Sequence, residues 1–125
     1  MEWSGIVVHH SASHDVSANE IDRWHKSRGW RGIGYHFVIR KNGNIETGRP
    51  INQQGAHAKG RNESHIGVCL TGDFTDNKPS IKQIVSLISL LGGLKGRFGI
   101  GKIEKHHEQC PGNIPWDFIM QNIKE

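Results

Sequence analysis

No apolar run in this sequence approaches the roughly 20 residues that a membrane-spanning helix needs, so no membrane insertion is expected. The opening Met1-Glu2-Trp3-Ser4 lacks the basic stretch and apolar core of a secretory signal, which predicts synthesis in the cytoplasm. Two cysteines, Cys69 and Cys110, are too few for a disulfide framework. Their contexts also differ, since Cys69 lies in an apolar strand-like run and Cys110 precedes Pro-Gly. There is no internal repeat, linker or low-complexity tract. Nor is there a basic helix, or a run of aromatics alternating with basic residues, and this argues against a nucleic-acid partner.

What remains is enough for one domain over residues 1–125, given a length of 125 residues and an ordinary apolar content of 34%. The net charge of +4 suits an anionic partner, either nucleic acid or a negatively charged cell wall. One excess stands out. Nine histidines is a high number for so short a chain, and histidine is both the commonest metal ligand and the usual acid–base group near neutral pH.

Along the chain, Gly5-Ile6-Val7-Val8-His9-His10 reads as a short buried strand ending in two histidines. Ser17-Ala18-Asn19-Glu20 fits a capping box, after which Ile21, Trp24 and Arg28 share one helical side and Gly29 ends it. Tyr35 to Arg40 and Asn44 to Thr47 form a hairpin pattern around Asn42-Gly43. Residues 48 to 64 lack periodicity and read as a long functional loop. Ile66 to Leu70 is another buried-type strand. Ser80 and Gln83 offer a second capping box, before Ile81, Ile84, Val85, Ile88 and Leu91 at helical spacing, with Gly92-Gly93 as the stop. A strand from about Lys102 to His106 follows, and Pro115 opens a last helix through Phe118, Ile119 and Ile123. This order predicts an α/β domain with a central mixed sheet of about five strands flanked by helices.

Chemistry concentrates at His9-His10, at His57 within Gly55 to Gly60, and at Lys105-His106-His107-Glu108-Gln109-Cys110-Pro111-Gly112. A catalytic zinc site takes three protein ligands and keeps one position open. One histidine from the first strand, one from the last and Cys110 would supply the three, and the Pro111-Gly112 turn can fold the sulfur back. Strand alternation does not choose between His9 and His10, or between His106 and His107, because neighbours point to opposite faces.

Several segments, in order from about residue 5 to residue 118, resemble the zinc amidases of the peptidoglycan recognition and type-2 N-acetylmuramoyl-L-alanine amidase family. The small phage lysozymes of amidase type are the nearest in pattern. The segments are Val8 to Ala12, Trp24-His25-Lys26 through Gly29-Trp30, Ile33 to Ile39, Gly55 to Gly60 with Ile66 to Leu70, and His106-His107-Glu108 with Cys110-Pro111-Gly112.

The resemblance implies that His9, His106 and Cys110 bind Zn2+, with His10 and His107 beside the ligands or structural. It implies that Tyr35 works next to the metal, that His57 contacts substrate or assists the oxyanion, and that His36 is structural. The implied substrate is peptidoglycan, cut between N-acetylmuramic acid and L-alanine by a monomeric endolysin that reaches the wall after the inner membrane is breached. A non-catalytic peptidoglycan-binding module of the same fold is the alternative. Such modules typically lose a ligand, whereas this chain retains all three and Tyr35. Two departures from the family pattern are visible. The lysine that phage relatives often carry before the ligand cysteine is absent, leaving Lys105 and Lys59 as substitutes, and His65 stands where serine is common.

Overall fold

Every residue of β1 (Gly5–His10) is buried, because parallel strands flank it on both sides. The structure is a computed structural model describing residues 2–123; Met1, Lys124 and Glu125, the ends of the expected domain, lie outside the described residues. After β1 come α1 (Ala18–Ser27), β2 (Phe37–Ile39), β3 (Ile45–Thr47), β4 (His65–Leu70), α2 (Ile81–Phe98), β5 (Lys102–Lys105) and α3 (Trp116–Asn122). The five strands form one mixed sheet in the order β3-β2-β4-β1-β5, in which only the β2–β3 pair is antiparallel. The expected element order and fold class are those observed.

The two faces of the sheet are covered differently. Ile6, Val8, Ile66, Val68 and Leu70 pack with Leu87, Leu91 and Leu94 of α2 and Ile119 of α3. On the other face Val38 joins Ala18 and Ile21 of α1, with Val16, Ile33 and Tyr35. His9 pairs in register with Cys69, and Cys69 with Val38, so His9 lies on the α1 face and His10 on the α2 face.

Four expectations need correction. α2 does not stop at Gly92-Gly93; it continues to Phe98, and Gly99 caps it in the left-handed conformation with φ of 63°. Burying Leu91 and Leu94 outweighs the roughly 1 kcal/mol that each interior glycine costs. The buried stripe of α2 is Gln83, Leu87, Leu91 and Leu94, while Ile81 and Val85 face solvent. Gln83 belongs there because its Nε2 donates to the carbonyls of Ile39 (3.2 Å) and Thr71 (2.9 Å). In α1 the inward positions are Ala18, Ile21 and His25, not Trp24, which is exposed, or Arg28, which is the C-cap. Of the two expected capping boxes, Ser80–Gln83 is complete, whereas at Ser17 the side chain accepts from Glu20 N (3.1 Å) and Glu46 takes the Ala18 N–H.

Candidate metal centre

The C-terminal ends of parallel strands leave a crevice where a sheet can present side chains rigidly. β1 and β5 run parallel with Val8 opposite Lys105, and the next residue, His106, donates its N–H to Val8 O at 3.2 Å. That continuation sets His106 beside His9, with ring centroids 4.6 Å apart. The chain then turns back on itself. His107 and Cys110 exchange backbone hydrogen bonds of 3.0 and 3.1 Å, which returns the Cys110 sulfur to the end of β1. This tight bridge is how a His-x3-Cys spacing closes.

The outcome is one ligand set among the described residues. The candidate ligand atoms of His9, His106 and Cys110 lie within 4.8 Å of one another, and Nδ1 of His9 is 3.8 Å from Cys110 Sγ. His10 is elsewhere, its Nδ1 accepting from Phe74 N at 3.0 Å. His107 accepts from Gln109 N and is exposed.

The electrostatics of the three groups favour a cation. Burial, then the neighbouring His57 and His106, hold the His9 pKa well below its ordinary value, so the ring stays neutral with a free lone pair. Burial, then His107 and Arg61, lowers that of His106 likewise. Burial raises the Cys110 thiol, opposed by the His10 N–H that points at its sulfur from 3.4 Å. Two neutral imidazoles and a buried thiol that ionises fully only beside a positive charge are the donors of a site that can hold a metal ion.

Tyr35 stands next to this cluster, 5.1 Å from His9 between ring centroids. Burial, then the nearby thiols Cys69 and Cys110, raises its pKa, so the phenol keeps its proton. His57 is also present, brought in by the loop between β3 and β4. Its Nδ1 lies 2.9 Å from His9 Nε2 and its Nε2 lies 2.9 Å from the His65 carbonyl. Burial lowers its pKa to about 4. His36 has a structural place, accepting from Gly67 N at 3.1 Å through Nδ1 and facing Gln53 O through Nε2. Neither expected lysine substitute joins the cluster: Lys105 Nζ sits over the Trp116 ring, and Lys59 is exposed.

Four supporting roles were not anticipated. Asn62 Oδ1 accepts from the backbone N–H of His57 (2.6 Å) and Ala58 (2.9 Å), fixing the loop where it carries His57. Arg61 reaches from that loop to β5, donating to Glu104 Oε1 (2.9 Å) and to the His106 carbonyl (2.8 Å). His65 adds its Nε2 3.3 Å from the same Glu104 oxygen. Buried His25 in α1 accepts from Gly34 N at 2.9 Å, steadying the approach to Tyr35. The Gly-x-Asn after His57 is a faint turn signal for the first, whereas Arg61–Glu104 spans 43 positions and leaves no local pattern.

Comparison with known proteins gives the family of the chain. The family N-acetylmuramoyl-L-alanine amidase matches residues 1–113. An endolysin of Escherichia phage T7 is 41% identical over 118 residues, covering 88% of this chain and 78% of the phage protein. Peptidoglycan-recognition protein SC2 of Drosophila melanogaster is 33% identical over 132 residues, covering 93% and 72% of the two chains. Among solved structures, N-acetylmuramoyl-L-alanine amidase LysC from Clostridium intestinale superposes with a TM-score of 0.92 at 38% identity, covering 99% of this chain and 88% of that one.

Proposed function

The chain belongs to the N-acetylmuramoyl-L-alanine amidase family, and on that premise we propose that His9, His106 and Cys110 hold a zinc ion at the site of hydrolysis. The activity is hydrolysis of the peptidoglycan amide that joins N-acetylmuramic acid to L-alanine, as in a phage endolysin. A donor set of two nitrogens and one sulfur suits zinc better than calcium or magnesium, which prefer oxygen. Bound there, zinc supplies a Lewis acid that polarises the scissile carbonyl and acidifies water.

The chain's own groups do the rest. Tyr35, kept protonated by burial beside the cluster, donates a hydrogen bond to the oxygen on which negative charge develops. Cys110 brings a negative charge that binds the cation tightly, and the rigid ends of β1 and β5 fix the directions of His9 and His106. The basic surface, with a net charge of +4, draws an anionic wall polymer toward the crevice. The protein works as a monomeric single domain, made in the cytoplasm and acting on the wall once the inner membrane is opened. No helix of the described residues is long and apolar enough to cross a membrane.

One observation carries this reading: His9 meets His106 and Cys110, about a hundred residues further along, within 4.8 Å in a chain of this family. Its test is digestion of purified peptidoglycan with and without a chelator, with fragments identified by mass. Free stem peptides that disappear on chelation and return with zinc support it. Cleaved glycan with intact stems would make the enzyme a glycosidase, and no fragments at all would make it a binding module.

A further inference from the structure

We propose that His57 is a positioning residue for the metal centre, fixing the tautomer and ring orientation of His9 rather than donating to the reacting amide. The inference rests on reading His9, His106 and Cys110 as metal ligands.

The argument starts from a group with no proton to give. The His65 carbonyl can only accept, so the His57 nitrogen 2.9 Å away, Nε2, carries the hydrogen and donates it. A neutral imidazole has one donor and one acceptor, which leaves Nδ1 of His57 as an acceptor. Its partner at 2.9 Å is Nε2 of His9, which must therefore donate. Neutral His9 is then left with its lone pair on Nδ1, the nitrogen 3.8 Å from Cys110 Sγ. A chain of bonds that begins at a backbone carbonyl thus selects, without reference to any metal, the His9 nitrogen that faces the Cys110 sulfur.

The ring of His57 is locked as well as bonded. A Cβ added at Gly55 would fall 2.4 Å from His57 Cδ2, and one at Gly67 would fall 2.6 Å from the same atom. The imidazole therefore fills the space that side chains at these two positions would occupy. Gly67 lies on β4 in register with Val7, on the face that carries His9. Asn62 pins the backbone at His57 through its two accepted hydrogen bonds. With both ring nitrogens bonded inside the protein, His57 has no N–H left for an oxyanion, and this revises the role that the family resemblance implied for it.

Asparagine and glutamine separate the two nitrogens. In His57→Asn, Oδ1 falls near the place of Nδ1 and can still accept from His9. In His57→Gln, the amide reaches the place of Nε2 and the bond to His9 is lost. Zinc affinity would be measured by competition with a chromophoric chelator, alongside kcat at saturating zinc and the unfolding midpoint of each metal-free protein. We expect His57→Gln and His57→Ala to bind zinc ~10- to 100-fold more weakly, the range seen when partners of metal ligands are removed, and His57→Asn to recover most of that loss. Wild-type affinity in His57→Gln, with the deficit confined to kcat, overturns the proposal and restores the oxyanion role. Equal affinities in the Asn and Gln variants overturn it too. A wild-type protein that binds no zinc overturns the ligand assignment itself, a separate failure read directly from the control.

Discussion

Arg61 Nη2 donates to the carbonyl of His106 at 2.8 Å, so the loop that carries His57 also holds the strand end that carries a proposed metal ligand. The same guanidinium bonds Glu104 at 2.9 Å, and Glu104 is drawn toward His65 Nε2 at 3.3 Å. His65, which departs from the family pattern, is therefore part of a clasp between β4, β5 and the loop. Arg61→Ala removes the clasp. Both partners of the ion pair are about a quarter exposed, so we expect a loss of only about 1–2 kcal/mol in urea unfolding, together with weaker zinc retention. Arg61→Lys should recover only part of either, because an ammonium lacks the planar fork that serves carboxylate and carbonyl together. Unchanged zinc retention in Arg61→Ala would show that β5 holds His106 unaided.

Cys110 is the ligand whose removal should be felt most. Without the thiolate, the cation keeps two neutral imidazoles and loses the only negative charge among its expected ligands. Cys110→Ser should lose zinc on dialysis against a mild chelator and lose amidase activity in parallel. Zinc content per chain, measured by atomic emission before and after dialysis, checks this. A serine variant that keeps both full zinc and full activity would remove Cys110 from the site.

The candidate ligands were legible in sequence because histidines cluster at strand ends and a cysteine follows at a turn. The choice of His9 over His10 came only from the family resemblance, since alternation assigns opposite faces without saying which face is the site; in the structure His9, on the α1 face, is the one that meets His106 and Cys110. The true end of α2 was hidden for a related reason. Gly92-Gly93 is a local stop signal, and the burial of Leu94 that overrides it is a tertiary effect. His57 was visible as a loop histidine, but its partners, the His65 carbonyl and the glycine faces it packs on, are backbone features that residue types do not announce.

Tyr35 should separate chemistry from binding. Its hydroxyl is not one of the clustered ligand atoms, so Tyr35→Phe should leave zinc affinity within about twofold of wild type. The loss belongs in turnover: removing one hydrogen-bond donor to a developing oxyanion lowers kcat on the order of 100-fold. Because Tyr35 packs against the core beneath α1, the unfolding midpoint should be recorded beside kcat and KM. An equal fall in zinc affinity would place Tyr35 in support of the metal instead.

Acid should weaken the fold through its buried histidines, and His25 allows this to be measured outside the proposed ligand set. Burial, then the nearby Arg28 and Arg49, lowers its pKa to about 4, and its Nδ1 is already engaged as an acceptor for Gly34 N–H. The unfolded value is about 6.5. Between those two values the unfolded chain binds more protons than the folded one, so stability rises with pH across that window. His25 therefore contributes fully above about pH 6.5, and its contribution falls as the pH drops toward 4 and changes no further below that. The difference is on the order of 2 kcal/mol for so large a shift in a buried ring. Urea unfolding of wild type and His25→Ala at pH 7 and pH 4.5 isolates the effect, since the other lowered histidines cancel in the comparison. The variant should be less stable than wild type at pH 7, where Gly34 N–H loses a well-placed acceptor, and the gap should narrow at pH 4.5. A gap that stays constant, or widens in acid, would mean that His25 remains chargeable inside the fold.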